Sequence, residues 1–177
     1  MAEMTIQPGG AAQNPSTLTA DDYNEDTMQD KYLMFILDNQ EFAIPIRHVV
    51  DIINVQPVTQ VPNTPPYVKG ITNLRGKVIP IVDVLTRFGK QHQEYNDRTC
   101  IIVVEYHGDS VGMIIDRVSE VINMREDAIS PPPSFSDSTE AKFIQGVGRT
   151  EEGVRLILDF LAVLEDSAYM PSTMAEE

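Results

Sequence analysis

Alternating apolar and polar residues predict pairs of short β-strands along most of this chain. Residues 31–38 and 41–46 are apolar, β-rich runs joined by Asn39 and Gln40, which predicts a tight hairpin. The same pattern recurs further on. It predicts three more pairs, 67–74 with 77–84, 98–106 with 111–115, and 143–149 with 154–159. A mainly β protein follows.

Helical spacing of apolar residues appears in two segments between these pairs. The residues concerned are Ile46, Val49, Val50 and Ile53 in the first segment, and Val118, Val121 and Ile122 in the second. This spacing predicts a short helix or helical turn in each segment. A single helical turn is also predicted at 85–88, before Gly89, and residues 160–164 follow the last strand pair.

The order of these elements repeats once along the chain. At an offset of 69 residues, Val49, Ile53 and Asn54 fall on Val118, Ile122 and Asn123; at an offset of 76, Gly70, Ile81, Asp83 and Leu85 fall on Gly146, Ile157, Asp159 and Leu161. An internal repeat of this kind predicts two similar small barrels or curled sheets packed together. The alternative is chance similarity between two β-rich stretches. We predict subdomains at 31–97 and 98–164, with an intertwined arrangement as the variant.

The net charge of −14 is concentrated at the two ends of the chain. Residues 1–30 hold six acidic residues and no Lys or Arg, and residues 165–177 hold four acidic residues, which leaves −4 for residues 31–164. Both ends are predicted to be disordered acidic tails, because they carry too few large apolar side chains to offset the entropy of ordering. An acidic chain without a basic stripe is a poor candidate for binding nucleic acid.

No segment has the roughly 20 apolar residues that a membrane-spanning helix needs, and the N-terminus lacks the regions of a signal peptide. The single cysteine, Cys100, lies in an apolar run, where burial is the usual fate of a free thiol. These features predict a cytoplasmic protein without direct membrane insertion.

Catalytic and metal-binding motifs are missing from the sequence. The three histidines have no HxxxH or HExxH spacing, and the glycines form neither GxGxxG nor a phosphate-binding loop. The acidic residues sit mostly at turns, where a solvated charge is the usual interpretation. We therefore predict no catalytic residues, no metal site, no cofactor and no enzymatic activity.

The most informative local feature is the turn Asn73-Leu74-Arg75-Gly76, between two apolar strands. Gly76 supplies the positive φ that a two-residue hairpin turn often needs, which places Arg75 at an exposed tip. A guanidinium there is able to bind a carboxylate or stack on an aromatic ring of a partner. The alternative is a solvated hairpin arginine. At the corresponding turn the second half has Thr150-Glu151-Glu152-Gly153, with the opposite charge.

These residues carry a resemblance to the CheW family of chemotaxis adaptors. It rests on four elements in order, Asn-Thr-Pro at 63–65, Lys-Gly at 69–70, Asn-Leu-Arg-Gly at 73–76 and Pro-Ile-Val-Asp at 80–83, and extends over about residues 31–164. The resemblance implies two five-stranded SH3-like barrels around a shared core. It also implies an adaptor that joins the cytoplasmic tips of chemoreceptors to the regulatory domain of the histidine kinase CheA.

The resemblance further assigns partner-binding positions. In the family, the receptor tip docks in the groove between the barrels and one barrel end contacts the kinase. Arg75 matches the family arginine of the Asn-Leu-Arg-Gly element, flanked by Asn73 and Gly76, and Gly70 matches the glycine that opens the strand. Val49 and Asp51 match the groove-side helical turn; Asp51 stands where a glutamate is more usual.

Two other functions stay open at this point. One is a CheW-like coupling protein of a non-chemotactic signalling cluster. The other is a barrel that binds a small molecule or oligosaccharide, although the chain has no Trp and only 7% aromatic residues.

Overall fold

The computed structural model describes residues 28–91, 93–132, 134 and 139–165. The predicted acidic tails, 1–30 and 165–177, therefore lie outside the described residues except at their inner ends. The strands are β1 Lys31–Leu37, β2 Gln40–Pro45, β3 Val49–Asn54, β4 Val68–Leu74, β5 Lys77–Asp83, β6 Cys100–Tyr106, β7 Asp109–Ile115, β8 Arg117–Asn123, β9 Ile129–Ser130, β10 Ile144–Thr150 and β11 Gly153–Leu158. The short helices that lie wholly within the described residues are α1 Val84–Arg87 and α2 Phe160–Glu165.

The predicted strand pairs are confirmed, but the two predicted helical segments are wrong. In the first segment, a 3-10 turn is limited to Ile46–His48, and Val49 to Asn54 is strand β3, along which half-buried and exposed residues alternate. The second segment is strand β8. β-Branched residues fit the pleated surface of a sheet better than a helix, and pairing with β6 and β1 satisfies their backbone groups.

Two antiparallel-rich sheets make up the fold, and each combines strands from both halves of the chain. One sheet has the order β3-β6-β7-β5-β4, and the other β8-β1-β2-β11-β10-β9. They form two five-stranded, SH3-like barrels, which we call the first and the second barrel; β9 adds a short sixth strand to the second. The strands of the two halves are interleaved in the sheets. The predicted subdomain limits, 31–97 and 98–164, stay a prediction.

Strand registers agree with the internal repeat. Ile53 pairs with Ile101 in the first barrel, and Ile122 pairs with Tyr32 in the second. Ile122 lies 69 residues after Ile53, and Tyr32 lies 69 residues before Ile101, so the two pairs occupy equivalent positions of the repeat. The parallel contact of β5 with β7 at Ile81 and Gly112 likewise corresponds to that of β11 with β2 at Ile157 and Ala43. Chance similarity would not reproduce a pairing register, so the halves are copies of one unit.

Three apolar clusters hold the molecule together. The largest lies between the sheets and is lined by side chains of both barrels, including Phe35, Phe42, Phe88 and Phe143. Smaller clusters fill the interior of each barrel. Strands that alternate between a barrel interior and the shared core are buried on both faces, which explains the continuous apolar run of β6.

Equivalent aspartates begin the two helices. Asp83 caps α1 by accepting a hydrogen bond from the Thr86 backbone N–H, and Asp159 accepts one from the Ala162 backbone N–H. The Asp83 backbone N–H also donates to the Tyr67 carbonyl oxygen, as that of Asp159 does to the Phe143 carbonyl oxygen. Strands β5 and β11, which are equivalent in the repeat, therefore end in the same way.

Candidate functional site

The Asn73-Leu74-Arg75-Gly76 segment forms the tight turn that the sequence predicts. Leu74 pairs with Lys77, so Arg75 and Gly76 are the two central residues, with φ of 53° and 84°. Positive φ at both positions defines a type I′ turn, whose twist suits a hairpin. The Asn73 Oδ1 accepts a hydrogen bond of 2.9 Å from the Gly76 backbone N–H and fixes the turn.

The tertiary structure brings Arg75 to Asp51, across the opening between the edge strands β3 and β4. The Arg75 Nη2 lies 2.8 Å from the Asp51 Oδ2, with the arginine side chain 78% exposed and the aspartate side chain 21% exposed. The Asp51 Oδ2 itself is buried and has no well-aligned hydrogen bond, so this contact is an ion pair rather than a directed bond. The Asp51 Oδ1 accepts a hydrogen bond from the Ile52 backbone N–H.

Gly70 occupies a position that only glycine fits. Its φ is +141°, and a Cβ atom there would overlap the Thr59 carbonyl oxygen and lie 2.9 Å from the Val58 Cγ1. Thr59 and Ile71 exchange two backbone hydrogen bonds of 2.8 and 2.9 Å at this point. Gly70 is buried and shapes β4, and its predicted role in partner binding stays a prediction.

Strand β3 presents an apolar outer face beside the ion pair. Val50 and Ile52 are 56% and 43% exposed, whereas Val49 is half-buried and packs against the shared core. Val78, after the Arg75 turn, is also exposed. Exposed apolar side chains next to an arginine are typical of a protein-binding surface.

A cleft of about 380 Å³ lies where β3 and β8 approach each other, between the two barrels. We call it the arginine cleft; it is lined by Ile52, Arg98, Cys100, Arg117 and Val118. Burial raises the pKa of the Cys100 thiol and keeps it protonated. Sequence reasoning predicted a groove between the barrels but missed both arginines, because only the sheet pairing brings residues 98 and 117 together.

A second cleft of about 300 Å³ continues from the first and is polar. The Tyr95 hydroxyl donates a 3.0 Å hydrogen bond to the Asp83 Oδ2, and burial followed by the Asp83 charge raises the pKa of Tyr95. This pair supports the first turn of α1. Among the described residues, no group of three His, Cys, Asp or Glu side chains is arranged to hold a metal ion. No helix in the described part of the chain is long and apolar enough to cross a membrane.

His48 gives a prediction about pH. Burial, and next the charge of Arg47, lower the pKa of His48 below 6.5, although Glu105 opposes the shift. The Arg47 Nε donates to the His48 Nε2, which requires the neutral ring. Because the folded protein binds this proton less well than the unfolded chain, its contribution to stability is present above pH 6.5 and lost as pH falls through the lowered pKa.

We therefore expect the free energy of unfolding to fall less steeply between about pH 7 and 5 in His48→Gln than in the wild type. Urea titrations followed by circular dichroism at several pH values measure both slopes. Identical slopes would show that His48 does not couple folding to pH.

Comparison with known proteins agrees with this architecture. The family model described as "CheW-like domain" matches residues 31–168. The "Chemotaxis protein CheW" of Klebsiella aerogenes is 33% identical over 139 residues, covering 78% of this chain and 84% of the relative. That of Bacillus subtilis is 32% identical over 136 residues, covering 77% and 87%.

A solved structure is similar as well. It is titled "Crystal structure of scaffolding protein TtCheW from Thermoanaerobacter tengcongensis", and it superposes with a TM-score of 0.67 at 34% identity, covering 74% of this chain and 89% of that one. The fold, the repeat, the Asn-Leu-Arg-Gly turn and these matches agree. The chain belongs to the CheW-like domain family.

Proposed function

We propose that this protein is a non-catalytic adaptor of bacterial chemotaxis, which couples the cytoplasmic tips of chemoreceptors to the regulatory domain of a CheA-type histidine kinase. The names of the relatives and of the solved neighbour, a scaffolding protein, support a scaffold role in chemotaxis over a non-chemotactic cluster or a small-molecule binder. Such an adaptor acts in the cytoplasm and is recruited to membrane-associated receptor arrays.

The observation that carries this proposal is the exposed Arg75 at the tip of the first barrel, held beside an apolar strand face. The ion pair with Asp51 joins the turn to β3 and limits the orientations that the guanidinium adopts. An arginine that is already oriented loses less entropy on binding, and arginines of this kind are common energetic centres of interfaces. Asn73 and Gly76 serve by holding the turn, and Val49 and Asp51 by holding β3 next to it.

Calorimetric titration tests the proposal. The protein is titrated with a CheA regulatory domain and, separately, with a soluble receptor-tip fragment. We expect saturable binding to both, and for Arg75→Glu a Kd raised at least about tenfold for one of them, which is about 1.4 kcal/mol. Circular dichroism is expected to be unchanged, because Arg75 lies on an exposed turn.

The second barrel offers a matched control. Glu151 occupies the position in its turn that Arg75 occupies in the first, so Glu151→Arg makes the opposite charge reversal at an equivalent site. Because the two substitutions change the net charge in opposite directions, a general charge effect would shift the affinity in opposite directions. Equal weakening by both would show that the binding loss is not specific to Arg75 and would contradict a specific contact there. Absence of binding to either partner by the folded wild type would contradict the adaptor function itself.

A charge swap separates the two roles of Arg75. In the double variant Asp51→Arg with Arg75→Asp, the ion pair is re-formed in the opposite sense. Recovered binding would show that Arg75 acts by holding the turn to β3. Binding that stays weak would show that its guanidinium contacts the partner.

A further inference from the structure

We propose that an acidic segment at the N-terminus of this chain, residues 21–26, binds in the arginine cleft and occupies it intramolecularly. This inference does not depend on the identity of the partners. It follows from the chemistry of the cleft, the composition of the segment and the point where the described fold begins.

The arginine cleft has two cationic groups over an apolar floor. Arg98 and Arg117 are exposed, and neither forms an ion pair with a carboxylate in the described part of the chain. Among the residues that the structure describes, no acidic side chain lines this cleft. The same two arginines also line the adjoining polar cleft, together with Asp83, Glu94 and Asp116. Asp116 already accepts a hydrogen bond of 2.8 Å from the Asp38 backbone N–H and Asp83 accepts one from the Tyr95 hydroxyl, whereas Glu94 is exposed.

The segment Asp21-Asp22-Tyr23-Asn24-Glu25-Asp26 has complementary chemistry. It places an aromatic ring between two acidic pairs, and residues 1–30 contain no Lys or Arg. Carboxylates form their strongest hydrogen bonds with guanidinium groups, and a tyrosine ring is favoured against both apolar side chains and arginine. Asp21 and Asp22 are placed to form ion pairs with the two arginines. Tyr23 is placed to pack on the apolar floor formed by Ile52, Cys100 and Val118.

The geometry of β8 allows this contact. The Met124 backbone N–H donates to the Asp30 carbonyl oxygen, and Lys31 pairs with Asn123, so the N-terminal segment joins the fold at the Asn123 end of β8. Arg117, at the other end, is about 20 Å away at 3.3 Å per residue. The eight residues from Asp30 back to Asp22 have a maximum reach of about 26–29 Å, which is enough to cover this distance.

A segment that runs along β8 therefore places its first two acids beside Arg117 and Tyr23 beside Val118. In this register Glu120 of β8 lies beside Glu25, which weakens the contact at that point, whereas Asp21 and Asp22 extend beyond it to the arginine. A partner that uses the cleft must displace the segment, and the contact weakens with salt because the arginines are exposed.

The C-terminal acids are less suitable occupants. Helix α2 ends at Glu165. Burial, and next the charge of Glu165, raise the pKa of Tyr106, and Tyr106 is at the opposite end of β6 from Cys100. The more distant acidic pair, Glu176 and Glu177, has no aromatic residue between its members or beside them, and Tyr169 lies three residues after the nearer pair, Glu165 and Asp166.

Paramagnetic broadening in the full chain tests the proposal. A nitroxide is attached through Asn24→Cys in a Cys100→Ser background, and methyl signals are compared before and after reduction of the label with ascorbate. We expect selective broadening of the Ile52 and Val118 methyl groups. This broadening is expected to be lost in high salt, in the double variant Arg98→Glu with Arg117→Glu, and in the double variant Asp21→Asn with Asp22→Asn.

Two controls identify the occupant. A label attached through Ser172→Cys reports on the C-terminal residues, and broadening from that label instead of the one at position 24 would overturn the proposal. Mixing isotope-labelled untagged protein with tagged unlabelled protein detects binding between copies, and broadening that requires the mixture would also overturn it. Equal, weak broadening over the whole surface would likewise overturn the proposal.

Discussion

Gly70→Ala is expected to destabilise the protein by about 3–5 kcal/mol, a large part of the 5–15 kcal/mol typical of a whole domain. A side chain at φ +141° is strained, at a cost of about 1–3 kcal/mol. The new Cβ also overlaps the Thr59 carbonyl oxygen, so Thr59 must move away from Ile71. Two backbone hydrogen bonds are then lost or lengthened, at roughly 0.5–1.5 kcal/mol each.

Gly76→Ala is the matched control, because it separates backbone strain from the close approach. Gly76 also has a positive φ, of 84°, but a Cβ atom there meets nothing within 4 Å. We expect a loss of only about 1–2 kcal/mol. Urea unfolding followed by circular dichroism measures both variants, and equal losses would contradict the steric explanation for Gly70.

Phe143→Ala is expected to cost about 3–5 kcal/mol, because the ring fills the shared core rather than one barrel. Phe143 is 1% exposed and stacks on Phe88 with ring centroids 5.3 Å apart. The Arg87 guanidinium lies 4.8 Å from the centre of the same ring, so its removal also loses a cation–π contact. The cavity left by the ring is enclosed by elements of both barrels, so a rearrangement of side chains within one barrel does not fill it.

Leu161→Ala is the control for Phe143→Ala. Leu161 is a large apolar residue of the neighbouring helix α2, but it is 45% exposed. Its truncation is expected to cost less than about 1 kcal/mol, since little buried surface is removed. Thermal and urea unfolding of the two variants measure the difference. A loss below about 1.5 kcal/mol for Phe143→Ala would show that the shared core does not stabilise the molecule as its burial indicates.

The prediction of helical turns at β3 and β8 shows where sequence patterns become ambiguous. Val49, Val50 and Ile53 fit helical spacing, yet they also fit a strand with a bulge, because the register shifts between Val49 and Asp51 where β3 pairs with β6. An irregularity of this kind places one extra residue in the strand opposite its partner, although exposure along the strand still alternates. The copy in β8 has a corresponding shift where it pairs with β1, so the repeat duplicated the ambiguity instead of resolving it.

The sequence by itself determined the strand pairs, the repeat and its offsets, and the exposed turn with Arg75 at its tip. These features depend on neighbouring residues: alternation defines a strand, and Gly76 permits the turn. Even the pairing register was implicit in the two offsets, because equivalent strands pair at equivalent residues.

Only the tertiary structure decided which strands share a sheet, and with them the composition of the site. The parallel contacts of β5 with β7 and of β2 with β11 interleave the halves, and they join residues that no local pattern connects. Asp51 meets Arg75 because β3 and the turn after β4 lie at opposite edges of one curved sheet. Arg98 and Arg117 share a cleft for the same reason: contacts between distant residues depend on how the sheets close and pack, and one sequence does not encode that closure in any local pattern.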